Sequence, residues 1–387
     1  MKNHKQWYIV NKSMKLFLII FLMLLVLIGF YYRVLQVALF ALAAYHTSTH
    51  HNFSILPEAA ESWTSVLPLN LKRKPRLTGT VVTFHPEYLN FNVSRVRHGF
   101  EEAAALNVEF VRTDVRWSAI LPDGVTPDRN ALNWYKSFFE TARSYGLRPM
   151  IVLSSPPSSV RHLPKRELLN LWQLYIEQVV SDLGNLCNTF QILNEPNNPI
   201  YSVFDSSTLP KAVMIASQLI KNRVSGAKII INYLADLPHW RRDAEHLLSQ
   251  TGKSIDIVGI DHYPGTWAIG PNKGWASCMH TLSGIDTTTP GTVWYGRQLA
   301  IMETGFSTNI PWLRGATQQK DFYLDLDKNL RKIGPLRSRI LFVGFYELCD
   351  SNSHAFLNPE AHFGLLMNDC ATRKPAFAIA KQISLRR

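Results

Sequence analysis

From Leu77 to the C-terminus the chain alternates short apolar runs with amphipathic segments, and few folds accept that alternation. The apolar runs fall at 77–85, 108–117, 148–155, 189–195, 228–234, 256–263, 298–305 and 340–348. Short apolar runs bounded by turn residues read as buried strands. Between them, segments such as 93–106, 134–145, 165–183, 211–224 and 318–333 carry apolar residues at helical spacing, and 374–385 supplies a closing helix. The stretch between the sixth and seventh runs is the least clear. Eight strands, each followed by a helix, predict an α/β fold of the (β/α)8 type, a closed parallel TIM barrel. An open doubly wound sheet is the competing arrangement, but no glycine-rich phosphate loop follows the first run.

The segment ahead of this pattern differs in kind. Lys2, Lys5, Lys12 and Lys15 precede an unbroken apolar run from Leu16 to Tyr32; a second continues after Arg33 to Tyr45, and no acidic residue occurs before Glu58. The first run is just long enough to cross a bilayer core of about 30 Å as a helix. Its basic flank would stay in the cytoplasm. The expected organisation is a basic tail (1–15), a transmembrane signal-anchor region (16–45), a linker (46–76) and a barrel domain (77–387) beyond the membrane, in a periplasmic, extracellular or lumenal space. Cleavage near Ala41-Leu42-Ala43, giving a secreted domain, is the rival reading.

The formal charge is +12, and nine Lys/Arg against two Glu up to Arg76 place +7 of it ahead of the barrel. That placement fits membrane topology. No basic recognition helix or RNA-binding signature accompanies it, so no nucleic-acid partner is expected. Cys187, Cys278, Cys349 and Cys370 show no Cys-x-x-Cys spacing and so no zinc or redox motif. In an exported domain Cys349 and Cys370 are the first pair to test for a disulfide; four free buried thiols is an equally open reading.

In such a barrel the residues at the carboxyl ends of the strands meet around one mouth. Read in order, those ends hold His85, then Arg112, Asp114 and Arg116, then Ser154. Asn194 with Glu195, Asp261 to Tyr263, Glu303, and Tyr346 with Glu347 complete the series. A barrel end built only for stability needs no such polarity. Two runs, Phe190-Gln191-Ile192-Leu193-Asn194-Glu195 and Leu299-Ala300-Ile301-Met302-Glu303, each deliver a glutamate at the tip of a buried strand. A lone glutamate there is most often a surface or salt-bridge residue. Two converging on one mouth suit acid/base and nucleophilic work on a single substrate. Trp117, Trp267, Trp275, Trp294 and Trp312 lie near strand ends; most aromatics belong to the core, and Trp267 and Trp312 are singled out for stacking on sugar rings. His85 reads equally as a sugar contact or a satisfied polar residue.

These residues carry a resemblance. Asn194-Glu195-Pro196 on the fourth strand, Glu303-Thr304-Gly305 on the seventh, Arg112 on the second and Asp261-His262-Tyr263-Pro264 on the sixth make the chain resemble the clan A glycoside hydrolases, especially families 5 and 39. Phe363-Gly364-Leu365-Leu366 and Lys374-Pro375-Ala376-Phe377 support it. The resemblance covers Leu77 to the end and implies a retaining glycosidase acting on a polysaccharide or oligosaccharide. It implies Glu195 as general acid/base, Glu303 as nucleophile, Arg112 and Tyr263 as donors to Glu303, and Asn194 at the sugar 2-hydroxyl. It implies no metal and no organic cofactor. Asp261 departs from the pattern, standing where relatives often carry Asn or His. Tyr346 or Phe345 takes the place of a strand-eight tryptophan. A non-catalytic glycan-binding barrel and a transglycosylase using the same glutamates are the alternatives.

Overall fold

The computed structural model describes residues 79–154, 156–160, 162–268, 273–310, 314–351 and 358–387. The expected anchor and linker, and Trp312, lie outside the described residues. Among the described residues no helix is long and apolar enough to cross a membrane.

Eight parallel strands close on themselves in sequence order. They are β1 (Gly79–Thr83), β2 (Phe110–Arg116), β3 (Arg148–Ser154) and β4 (Thr189–Ile192). The circuit continues through β5 (Lys228–Leu234), β6 (Ile257–Asp261), β7 (Gln298–Thr304) and β8 (Ile340–Phe345), and β8 pairs back onto β1. The following helices are α1 (Val93–Ala105), α2 (Arg129–Ser144), α3 (Lys165–Leu183), α4 (Leu209–Arg223), α5 (Trp240–Thr251), α6 (Trp275–Ser283), α7 (Ala316–Lys332) and α8 (Ala376–Arg386). Helix α6 fills the stretch that the sequence leaves unclear. Helix α5 is absent from the segments named above; only Trp240, Ala244, Leu247, Leu248 and Thr251 of it are buried, a thin stripe among charges.

The interior is apolar at its base. Val81, Phe110, Met150, Ile230, Ile257, Ala300, Met302, Leu341 and Phe342 form a cluster inside the barrel, and a much larger one fills the space between strands and helices. Trp117, Trp275 and Trp294, each at most 3% exposed, belong to the larger cluster. Burying a large apolar side chain contributes about 1.5–3 kcal/mol, so this double layer is what fixes the circuit of strands.

Three features shape the mouth. The strand pairing shifts register at Ile260/Asp261 on β6 and again along β7 between Ile301 and Thr304. Such irregularities re-aim side chains. Where β7 and β8 crowd together only glycine fits: a Cβ on Gly344 would stand 1.9 Å from the Met302 carbonyl oxygen, and one on Gly305 1.9 Å from that of Tyr346. Beyond β8, Cys349 and Cys370 are bonded with their Cα atoms 5.1 Å apart, while Cys187 and Cys278 are free.

Candidate active site

Strand β4 stops at Ile192, short of the expected boundary at residue 195. Leu193 and Glu195 have φ of 62° and 43°, left-handed values that non-glycine residues adopt at a cost of order 1–3 kcal/mol. The turn is tied to the neighbouring strand β5 by three hydrogen bonds. The Glu195 amide donates to Asn232 Oδ1 at 3.1 Å, and Asn197 exchanges two hydrogen bonds with the backbone of Leu234. Glu195 therefore sits on a braced turn rather than on the strand. Its Oε2 accepts from Asn198 Nδ2 at 2.7 Å.

Glu303 reaches the same cavity from β7. By strict alternation it would face away from Met302, and the register shift beside it accounts for its turning inward. Arg112 Nη2 lies 2.6 Å from its Oε1, and the Tyr263 hydroxyl donates to its Oε2. Both carboxylate oxygens thus have donors. Arg112 pairs with Glu303 rather than with Asp114. Its remaining donors reach Gln191 Oε1 at 2.9 Å, Thr83 Oγ1 at 3.2 Å and Asn194 Oδ1 at 3.0 Å.

One carboxylate oxygen from each of Glu195, Asp261 and Glu303 lies within 4.8 Å of those of the other two, and all three residues are buried. Three such groups are able to hold a hard cation, but Arg112 and Tyr263 already take both oxygens of Glu303. Burial, and then the neighbouring Glu303, push the Glu195 carboxyl up to about 8. Burial and the same neighbour raise Tyr263 well above the ordinary phenol range, which keeps it a donor.

Asn194 is half-buried, and its side-chain oxygen is consumed by Arg112, by Gln191 Nε2 at 3.2 Å and by Asn232 Nδ2 at 2.8 Å. This leaves its amide hydrogens for a ligand. His262 points outward, its Nδ1 at 2.5 Å from Asp236 and its ring edge-on to Trp275. Phe345 is also outside, packed on Tyr323, so Tyr346 alone takes the strand-eight place. Tyr346 meets Tyr263 and Phe363 edge-on and donates to Glu360 Oε2 at 3.2 Å. Trp267 packs on Phe363, and its indole also donates to Glu360.

His85 is buried among acidic side chains at the mouth. Its Nδ1 is 3.3 Å from Glu87 Oε1, and its Nε2 is 3.9 Å from Glu347, neither of whose oxygens has a hydrogen-bond partner among the described residues. Glu360 was not visible from sequence. Burial raises it to about 7, against the pull of Tyr346. Gln191 and Asn232 were also passed over; their signal was a lone amide inside an otherwise apolar strand.

No family model matches the chain. Among curated proteins it is 23% identical over 210 residues to a 6-phospho-beta-glucosidase, AscB, of Escherichia coli (strain K12), covering 50% of this chain and 43% of that protein. The chain thus spans less than half the length of that relative. Among solved structures it is similar to GH5_18 from Streptomyces cattleya in complex with GlcNAc (TM-score 0.62, 15% identity, 80% of each chain). It is similar also to a family 39 glycoside hydrolase from Bacteroides cellulosilyticus WH2 (TM-score 0.58, 15% identity, 79% of this chain and 63% of that one). These solved structures share its fold, a closed (β/α)8 barrel.

Proposed function

We propose that the protein is a retaining glycoside hydrolase, with Glu195 as general acid/base and Glu303 as nucleophile. The observation that carries this reading is the convergence of the two glutamates, an oxygen of each within 4.8 Å of the other, with Arg112 and Tyr263 bound to Glu303 and not to Glu195. Retaining glycosidases hold their carboxyl groups about 5–5.5 Å apart, whereas inverting ones leave about 6.5–9.5 Å for a water. Glu195 begins protonated and gives its proton to the glycosidic oxygen as Glu303 attacks the anomeric carbon. Ionised by that step, Glu195 then takes a proton from the water that cleaves the glycosyl ester. The asymmetry of donors sets the roles. Asn194 is placed to donate to the sugar 2-hydroxyl, and Trp267 and Tyr346 to line the ring.

The substrate is an oligosaccharide or polysaccharide. The curated relative is named for a phosphorylated sugar, but three cations of this barrel are already engaged. Among the described residues, Arg112, Arg116 and Lys374 are paired with Glu303, Glu87 and Asp350. The domain works outside the cytoplasm, anchored by residues 16–45; the Cys349–Cys370 bond supports an oxidising compartment. Membrane fractionation with protease protection tests this, and a barrel protected inside intact cells' cytosol would refute it.

Trapping with a panel of 2-deoxy-2-fluoro glycosides, followed by peptide mass mapping, tests the chemistry. The label is expected on Glu303; a label elsewhere overturns the assignment. Glu303→Gln should lower kcat by at least ~10³-fold while oligosaccharide binding persists.

A further inference from the structure

We propose that Asp261 is a positioning residue that stays protonated and donates its hydrogen to the Glu195 carboxylate, so that the water-activating step depends on it. This rests on the hydrolase reading. The geometry is specific. Asp261 is fully buried, and its Oδ2 accepts from Asn232 Nδ2, while its Oδ1 has no hydrogen-bond partner among the described residues. A buried oxygen without a donor costs about 1–3 kcal/mol, more when charged. One of its carboxyl oxygens lies within 4.8 Å of an oxygen of Glu195 and of one of Glu303.

The groups facing Asp261 can be taken strand by strand. Arg112 comes from β2, Glu195 from the turn after β4, Asn232 from β5, Tyr263 from the end of β6 and Glu303 from β7. Arg112 is the single cation in that circle, and it is bound to Glu303. Three carboxylates around one committed guanidinium cannot all be ionised, as with paired acids that share a proton. A proton on Asp261 Oδ1 removes the surplus charge and supplies the missing partner. Burial, and then Glu303 and Glu195, raise Asp261 well above the usual carboxylate range, in the same sense.

The proton stays on Asp261 throughout. When Glu195 has delivered its own proton to the leaving oxygen, the Asp261 hydroxyl donates to the new carboxylate and holds it ready to take a proton from water. In Asp261→Ala the glycosyl-enzyme should persist. With a dinitrophenyl glycoside, whose departure needs little acid help, the variant should give a one-equivalent burst followed by turnover slowed ~10²-fold, with a lowered KM. Asp261→Asn, which keeps the shape and an N–H donor, should restore most of the loss. A purely structural role would give no burst and no fall in KM.

Infrared difference spectra at neutral pH give a readout independent of turnover. Wild type minus Asp261→Asn should show a protonated-carboxyl band. Absence of that band, or an Asn variant as impaired as Ala with its fold intact, overturns the proposal. If the wild type cleaves no glycoside the hydrolase reading fails instead, and the infrared band still decides the state of Asp261.

Discussion

Arg112 shows how one side chain can tie a site together. Its guanidinium reaches three strands besides its own through Thr83, Gln191 and Glu303, and the turn after β4 through Asn194. A lysine there would be a point charge without the fork. Arg112→Lys should therefore lower kcat/KM by about 10²-fold, or about 2.7 kcal/mol of transition-state stabilisation, in a protein that circular dichroism shows to be folded. Arg112→Ala should instead cost about 3–5 kcal/mol of stability by stranding the buried Glu303 charge, read from urea midpoints. Glu195 makes a separate prediction. Since its carboxyl is raised to about 8, the acid is available below that value and lost above it. The alkaline limb of kcat/KM should fall near pH 8, and a limb near pH 5 would contradict the environment described here.

At the level of strands and turns, the alternation of runs was enough to place all eight strands, because strands buried on both faces show themselves as apolar blocks. What it could not show was direction. Glu195 was expected on a strand and stands on a left-handed turn, which depends on Asn232 bracing it from β5. Glu303 faces the cavity beside a local slip in pairing. Asp261 and Tyr263 both reach the site while His262 turns out, which plain alternation does allow. Glu360 had no local signal, because its position follows from the packing of the chain after β8. The slip near Glu303 depends on glycine. Gly344→Ala would force a methyl group against the Met302 carbonyl, one residue from the proposed nucleophile. We expect a loss of about 1–3 kcal/mol in thermal melts, and a fall in kcat larger than that of an Ile→Val change elsewhere in the barrel wall.

For the molecule as a whole, the site carries an excess of protons into the fold. Glu195 and Glu360 are raised to about 8 and about 7, and Glu347 well above the ordinary range, each by burial first. A group whose folded value is raised contributes stability that is complete below its unfolded value, about 4.3 for glutamate, and is lost as pH climbs through the folded value. Melting temperature should decline from pH 5 to pH 9. Glu360→Gln should flatten the decline between about 5 and 7; an unchanged slope would count against this account. Loss of the Cys349–Cys370 bond, which spans a sequence separation of 21, should cost about 3 kcal/mol.

That bond has another consequence. The loop it closes carries Glu360 and Phe363, the two residues on which Trp267 and Tyr346 lean. One rim of the opening is therefore drawn shut by a cord that only an oxidising environment can knot. Protein made where thiols stay reduced should keep its barrel but hold that rim loosely, and mild oxidation should restore its grip on sugar without any refolding.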